Sequence, residues 1–317
     1  MSVIDQVLVT VIMPVFNREN VVARAIRSVL EQTHKNLEFL IVDDCSTDGT
    51  SDIIEAYAQR DDRIRVIKNT KNLGPAGSRN RGIEAAQGKF VTFQDSDDRW
   101  FPEKLEAQLR KMQEQPQYKV GYCGAFYFAQ EQCYYIPRVG TIERPEGELF
   151  DAILLSNPTT PQTLMIERSV FDEAGVFDAS LRINEDWEFA LRLAKRTPFA
   201  FVEEPLAVIY RTKGSVSSDQ YADLLFREEL LLNNADAYTR NIVARARQNY
   251  ILGSLNIQQG RYREAAKRLV QSFRDVPSVR CILQLLLIVP KSMIKKGGSG
   301  QERQAASTST LKAPREE

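Results

Sequence analysis

The chain is poor in the residues on which several common chemistries depend. His34 is its only histidine in 317 residues. With no second histidine and no cysteine nearby, a zinc site or a histidine-based triad is disfavoured, and His34 is expected in an exposed turn. Four cysteines, Cys45, Cys123, Cys133 and Cys281, are too few for a disulfide framework at this length. Cys123 and Cys133 can face each other across a hairpin, but reduced, partly buried thiols are the expectation. Neither charge is in excess, with 42 Lys and Arg against 42 Asp and Glu, so no global field draws in nucleic acid. No apolar run reaches the length of a membrane span. Residues Met1–Val7 lack a basic region followed by a long apolar stretch, so no signal peptide is read.

What is present suits a globular α/β domain with an appendage: 43 % apolar and 26 % charged residues. From Leu8 to Gln94 strand and helix patterns alternate. Strands are expected at Leu8–Val15, Leu37–Val42, Ile64–Lys68 and Phe90–Gln94. Helices are expected at Val21–Gln32 (with Asn20 as its cap), from about Ser51 to Arg60, and at Ala76–Ala86. Short strands of continuous apolar character between amphipathic helices predict a parallel sheet with right-handed crossovers. From Lys119 to Arg211 the pattern becomes mixed. A hairpin is expected at Tyr122–Phe128 and Cys133–Ile136, with further strands at Thr163–Ile166 and Ala207–Tyr210. Helices Glu148–Leu155, Val170–Ala174 and Trp187–Lys195 lie between them. After Ser218 the strands stop. Three regions are read: 1–218, a helical extension over 219–292, and a disordered polar tail over 293–317. Within the extension Leu252, Gly253, Gly260, Tyr262, Ala265, Leu269, Ser272 and Pro277 resemble a single tetratricopeptide repeat, which predicts a helical hairpin.

In an open parallel sheet ligands bind beyond the carboxyl ends of the strands. Four successive loops at that edge carry polar residues: Asn17 and Arg18, Asp43 and Asp44, Asn72, Gly74 and Gly77, and Asp95, Asp97 and Asp98. Three acids in Asp95-Ser96-Asp97-Asp98 repel unless they are solvated or share a cation, and oxygen donors favour Mg²⁺ or Mn²⁺. Taken alone, the cluster reads better as an acidic helix start before Pro102. With the other three loops in view, the cation reading is preferred. Asp43 and Asp44 at a strand end suit acceptance from a nucleobase N–H, whereas Ser46–Thr50 reads as an ordinary turn and cap. Asn72 to Asn80 offers backbone N–H groups and the Arg79 guanidinium, which suit a diphosphate. It has the spacing of neither a P-loop nor a dinucleotide fingerprint. Without a second histidine the base must be a carboxylate. Glu185 and Asp186, ahead of Trp187, fit a general base beside an aromatic wall as well as they fit an acidic helix start.

The ordered set Pro14-Val15-Phe16-Asn17, Asp43–Thr50, Asn72-Leu73-Gly74, Arg79-Asn80, Asp95-Ser96-Asp97-Asp98 and Glu185-Asp186 resembles the family 2 glycosyltransferases over about Val7–Ser218. The resemblance implies a GT-A fold, a mostly parallel nucleotide-binding sheet joined to a mixed acceptor-side half. It implies a nucleoside, usually uridine, held by Pro14, Val15, Asn17 and Asp44, with Asp43 less firmly placed. Asn72, Gly74 and Arg79 would approach the diphosphate or the base. Asp95 and Asp97 match the D-x-D element, Asp97 being the better metal ligand. Asp186, with Glu185 beside it, matches the base of an inverting displacement. Relatives often carry Tyr-Arg-x-His on the late strand. Here Lys213 takes the histidine's place, so that either the metal is held by fewer protein groups or the Lys213 ammonium contributes positive charge to the diphosphate itself. No Gln-x-x-Arg-Trp element is present, which favours single additions over a processive polymerase.

The partners so implied are a nucleotide-sugar, UDP-linked by preference, and a glycan or lipid-linked acceptor, with no nucleic acid. A cytoplasmic location is expected. The apolar run Cys281–Val289 and the lysines Lys291, Lys295 and Lys296 also suit peripheral contact through 279–296 with the inner face of the plasma membrane. An ordinary core helix with a basic end fits that segment equally. Two rival functions stand beside transfer. A sugar-phosphate nucleotidyltransferase would need a glycine-rich loop where Asn17-Arg18-Glu19-Asn20 has none. A nucleotide-sugar-binding scaffold would have no need of Asp95, Asp97 and Asp186.

Overall fold

A computed structural model describes residues 4–129, 132–137, 145–211 and 219–294. The described residues fall into two compact units, one ending at Ala244 and one beginning at Arg245.

The first unit opens with β1 (Val9–Val15), α1 (Val22–Leu30), β2 (Leu37–Asp43), α2 (Thr50–Ala58), β3 (Ile64–Lys68), α3 (Gly74–Ala85) and β4 (Phe90–Phe93). β5 (Arg99–Trp100), α4 (Lys104–Glu114), β6 (Val120–Ala129), β7 (Gln132–Ile136), α5 (Phe150–Leu155), β8 (Leu164–Glu167) and α6 (Val170–Ala174) follow. α7 (Glu185–Ala194), β9 (Phe199–Tyr210), α8 (Gln220–Asn233) and α9 (Ala235–Arg240) complete the series. One sheet runs β3-β2-β1-β4-β8-β6-β9-β5, with β7 added on β6. The expected parallel core is present as β3, β2, β1 and β4. β8 then pairs antiparallel with both β4 and β6, so the sheet is mixed beyond β4.

All seven residues of β1 are buried, because the strand is covered on both faces. Its side chains alternate between two cores. Val9, Val11, Met13 and Val15 meet Val22, Ile26 and Val29 of α1, while Ile12 faces the opposite cluster with Ile83 of α3. A Cβ on Gly82 would stand 2.4 Å from Ile12 Cγ2, so glycine lets α3 lie close over β1. Gln94 N–H donates to Ile12 O (2.9 Å). Alternate residues of a strand bond to opposite sides, so Pro14 faces the same side past the end of β4, where its missing N–H costs no ladder bond.

Three details depart from the sequence reading. His34 is buried rather than exposed, and its Nε2 lies 2.9 Å from Val7 O and 3.1 Å from Asn36 O, tying the N-terminal segment to the turn before β2. Asn20 does not cap α1; the helix starts from Val21 with no side-chain cap. β9 is far longer than Ala207–Tyr210. Its register against β6 shifts around Gly124, where Pro205 is accommodated. A Cβ on Gly124 would come within 2.6 Å of Glu203 O, so this irregularity requires glycine.

Helices α8 and α9 carry no strand signal, yet Phe226, Leu230 and Tyr238 join the core of the first unit. Tyr238 Oη donates to Leu154 O (2.9 Å). The compact boundary therefore falls later than Ser218. α10 (Ile242–Gln258) leads into the second unit, which continues with α11 (Tyr262–Asp275) and α12 (Val279–Ile294). There Gly253 lies against Leu269, and Arg245 makes a two-point ion pair with Asp275 (2.8 and 2.7 Å). No helix among the described residues is long and apolar enough to cross a membrane. Lys213 and residues 295–317 of the expected tail lie outside the described residues.

Candidate active site

Parallel strands place the loops after β1, β2, β3 and β4 on one edge, and these loops bond to one another. Asn17 adopts a left-handed conformation (φ 52°). Its N–H donates to Ser46 Oγ (3.1 Å) and its Oδ1 accepts from Thr47 N–H (2.8 Å). Glu19 Oε2 accepts from Gly49 N–H (2.8 Å), locking the first loop to the second. Pro14 and Val15 are the last two residues of β1, leading into this loop, and Phe16 after them is 42 % exposed.

Asp43 and Asp44 are both buried, and their carboxylates already hold main-chain groups. Asp43 accepts from Ser46 N–H (3.0 Å) and from the Ser51 hydroxyl. Asp44 accepts from Leu73 N–H (2.8 Å), Gly74 N–H (2.8 Å) and Asn69 Nδ2 (2.7 Å). Asp44 thus caps the start of α3 across the sheet edge. Asn72 supports the same turn, donating to Asp44 O (3.3 Å) and accepting from Gly74 N–H (3.1 Å). Gly74 sits at φ 73°, a backbone region that favours glycine.

Arg79 is the hub. It is only 4 % exposed, and its fork joins Asp95 (Nη2–Oδ1 2.7 Å) to Glu185 (Nη1–Oε1 3.0 Å). Burial alone would lower the pKa of this guanidinium, but Asp95, Glu185 and Asp186 outweigh it and raise the value. The next residue, Asn80, makes a reciprocal pair with the backbone of Phe177 (2.8 and 3.0 Å), and the Arg79 guanidinium lies over the Phe177 ring. Adjacent residues of α3 therefore bind β4's loop, the start of α7 and the segment leading to α7 into one frame. Residues 106 apart in sequence meet here.

Asn184 turns the chain in a left-handed conformation (φ 60°) and is held by a bond to Asp223 (2.9 Å). α7 then begins with Glu185 and Asp186. Trp187 is anchored behind them by its indole N–H to Ile153 O (2.8 Å). Asp186 accepts from Trp187 N–H (2.8 Å). Burial pushes the Asp186 carboxyl up to about 7, Glu185 adds to the rise, and Arg79 and the Trp187 N–H oppose it. A carboxylate poised there can exchange a proton near neutral pH.

The three acids after β4 take separate positions. Asp95 bonds Arg79. Asp98 is buried, accepting from Tyr210 N–H (2.9 Å) and from the Gln162 amide, and so ties this loop to β9. Burial, reinforced by Asp95 and Asp97, holds its pKa well above the ordinary carboxylate range, against the pull of Tyr210 N–H and Gln162. Asp97 lies 3.8 Å from Arg18 Nε, and Arg24 Nη2 donates to its carbonyl (2.5 Å) while stacking over Tyr210. Among the described residues, no three carboxylate, thiol or imidazole side chains converge as a ready-made cage. Asp97 and Asp95 are the carboxylates of this loop that could hold a divalent cation such as Mg²⁺ or Mn²⁺. Mg²⁺ in particular keeps several waters and binds through one or two carboxylates plus substrate phosphates.

Two features had no signal in the sequence. Arg24 reads as an ordinary surface position of α1, and Gln162 reaches Asp98 across 64 residues. Neither follows a local pattern; only the folded sheet brings them to the edge.

Against known proteins, residues 10–175 match the family model described as glycosyl transferase family 2. The chain belongs to this family. It is 36 % identical over 216 residues to TuaG of Bacillus subtilis (strain 168), provisionally assigned as a teichuronic acid biosynthesis glycosyltransferase. That match covers 68 % of this chain and 83 % of TuaG. It is 30 % identical over 227 residues to WfaP of Escherichia coli, named as a UDP-Glc:alpha-D-GlcNAc-diphosphoundecaprenol beta-1,3-glucosyltransferase, covering 71 % of this chain and 85 % of WfaP. Against uncharacterised glycosyltransferases of Rickettsia it spans about a third of their length, 33 to 35 %. The fold matches the crystal structure of residues 1–349 of TarS from S. aureus in complex with UDP-GlcNAc. There the TM-score is 0.63 at 18 % identity, with 91 % of this chain and 92 % of that chain covered. The chain is thus a GT-A-type glycosyltransferase with helices added at its C-terminal end.

Proposed function

We propose that this glycosyltransferase performs inverting, single-addition transfer from a UDP-sugar to a hydroxyl of a lipid-linked or polysaccharide precursor, at the cytoplasmic face of the membrane. The observation that carries the reading is the placement of Asp186. It is a partly buried carboxyl with a pKa near 7, beside the Arg79 frame that also holds Asp95. In this account the acceptor hydroxyl passes its proton to Asp186 as its oxygen attacks the anomeric carbon. The bond from that carbon to the diphosphate breaks, and its electron pair leaves with the nucleoside diphosphate. One in-line displacement needs one base, and Glu185 is committed to Arg79.

The donor nucleoside is assigned to the interlocked loops at Pro14, Val15, Asn17, Asp43 and Asp44, with Asn72 and Gly74 shaping the neighbouring turn. Asp44 then acts through the turn it caps as well as by any contact of its own. Asp97, with Asp95, would hold a divalent cation, which supplies Lewis-acid charge for the departing diphosphate. Lys213 is assigned a supplementary positive charge there. Support for the donor and acceptor classes comes from the names of relatives: a UDP-GlcNAc complex for TarS and a diphosphoundecaprenol-linked acceptor for WfaP.

Calorimetric titration with UDP, GDP, CDP and dTDP, each with Mn²⁺ and with EDTA, tests the donor half of this reading. Preference for UDP, tightened by Mn²⁺ and weakened by Asp97→Asn, is expected. Equal affinity for all four would remove the nucleoside assignment, and UDP binding indifferent to metal would shift the positive-charge role from a cation at Asp97 to Lys213.

A further inference from the structure

Helix α12 has two unlike faces. On one, Cys281 and Ile288 are buried, and Gln284 donates to Tyr250 Oη (3.1 Å) and Ser254 Oγ (2.9 Å) within the second unit. On the other, Val279, Ile282, Leu283, Leu286 and Leu287 are 43 to 70 % exposed. Their spacing of three, four, seven and eight residues from Val279 sets them in one stripe. A contiguous apolar stripe on a protein surface marks something that covers it.

Charge says what that is. From Arg245 to the C-terminus fourteen Lys and Arg stand against five Asp and Glu, although the whole chain carries 42 of each. No acidic residue occurs between Asp275 and Glu302, whereas Arg280, Lys291, Lys295 and Lys296 fall in that stretch. The second unit's acids Asp275 and Glu264 are already paired, with Arg245 and Lys267. An apolar stripe in an acid-free, basic segment matches a helix lying in a membrane interface, its apolar side in the acyl boundary and its cations at anionic headgroups. Two copies of this chain meeting through the same face would instead bring like charges together.

We propose that this face of α12 seats the second unit on an anionic lipid surface, in the plane of the interface. The attachment is separate from the transfer reaction and stands or falls without it.

Sedimentation of the full chain with vesicles of phosphatidylcholine alone, and of phosphatidylcholine with phosphatidylglycerol in equal parts, tests it. Binding to the anionic vesicles only is expected, weakening as salt shortens the reach of the charges. Replacing Lys291, Lys295 and Lys296 together by Gln should lower the bound-to-free ratio by about a hundredfold. The double substitution Leu283→Glu with Leu286→Glu should abolish binding while leaving the thermal midpoint in place, because both side chains are exposed. Equal binding to both vesicles, or to neither, would overturn the proposal. So would a concentration-dependent dimer in light scattering that the double substitution dissolves, which would assign the face to a second copy.

Discussion

Asp186 is costly to the fold in the state that chemistry needs. Its carboxyl titrates at about 7 in the folded chain, against an ordinary carboxylate value near 4 when unfolded. The folded chain therefore holds a proton there that the unfolded chain has lost, and stability falls as pH rises from about 4 to about 7. Asp186→Asn should remove that slope, giving a higher thermal midpoint than the native chain above pH 7 and a difference that vanishes toward pH 4. A midpoint lowered at every pH would place the carboxylate in a stabilising role instead. Transfer by the native chain should rise with pH along a limb centred near 7. Glu185 holds the Asp186 value up, so Glu185→Gln should move that limb to lower pH; a limb that stays in place would separate the two carboxyls. The residue types at this site were legible in the sequence because acids, amides and glycines gathered after successive strands. Their division of labour was not. Asp43 and Asp44 spend their oxygens on neighbouring turns, Asp98 is buried against Tyr210 and Gln162, and Arg79 spans two carboxylates rather than pointing outward. Apart from the local bonds of Asp43 to Ser46 and Ser51, those are facts of contact across 16 to 112 residues, which spacing along the chain does not encode.

At the scale of elements, α3 joins the fold to the chemistry. Its N-terminus is capped by Asp44, its middle carries Arg79 and Asn80, and Gly82 brings it against β1. Gly82→Ala would drive a methyl into Ile12 Cγ2 at 2.4 Å. A loss of about 1–3 kcal/mol in denaturant unfolding is expected from such overpacking, with transfer reduced as the Arg79 frame shifts. Unchanged stability would show that Ile12 yields freely. β1, β2 and β4 were readable because buried parallel strands are near-continuous apolar runs, whereas β3, at the sheet edge with only Ile64 buried, was readable from its short Ile-Val-Ile set between charged residues. β9 was read only at its end, since Glu203, Glu204 and Pro205 interrupt its pattern where the register shifts against β6. His34 was misplaced for a related reason: its neighbours are polar, and only its bonds to Val7 and Asn36 show it to be interior.

The whole molecule combines two units of different character: one carrying the sheet and the candidate active site, the other helical and basic. Its sequence marked where strands end, but packing decides where a unit ends, and the apolar faces of α8 and α9 belong with the first. Whether Asp186 is the base of an inverting transfer is decided by product analysis with a UDP-sugar of α configuration and a diphosphate-lipid-linked sugar acceptor. The native chain should give a β-linked product by NMR. Asp186→Asn should transfer about a hundred- to ten-thousand-fold more slowly with its affinity for UDP unchanged. An α-linked product, or an Asp186→Asn chain that transfers at the native rate, would contradict that role.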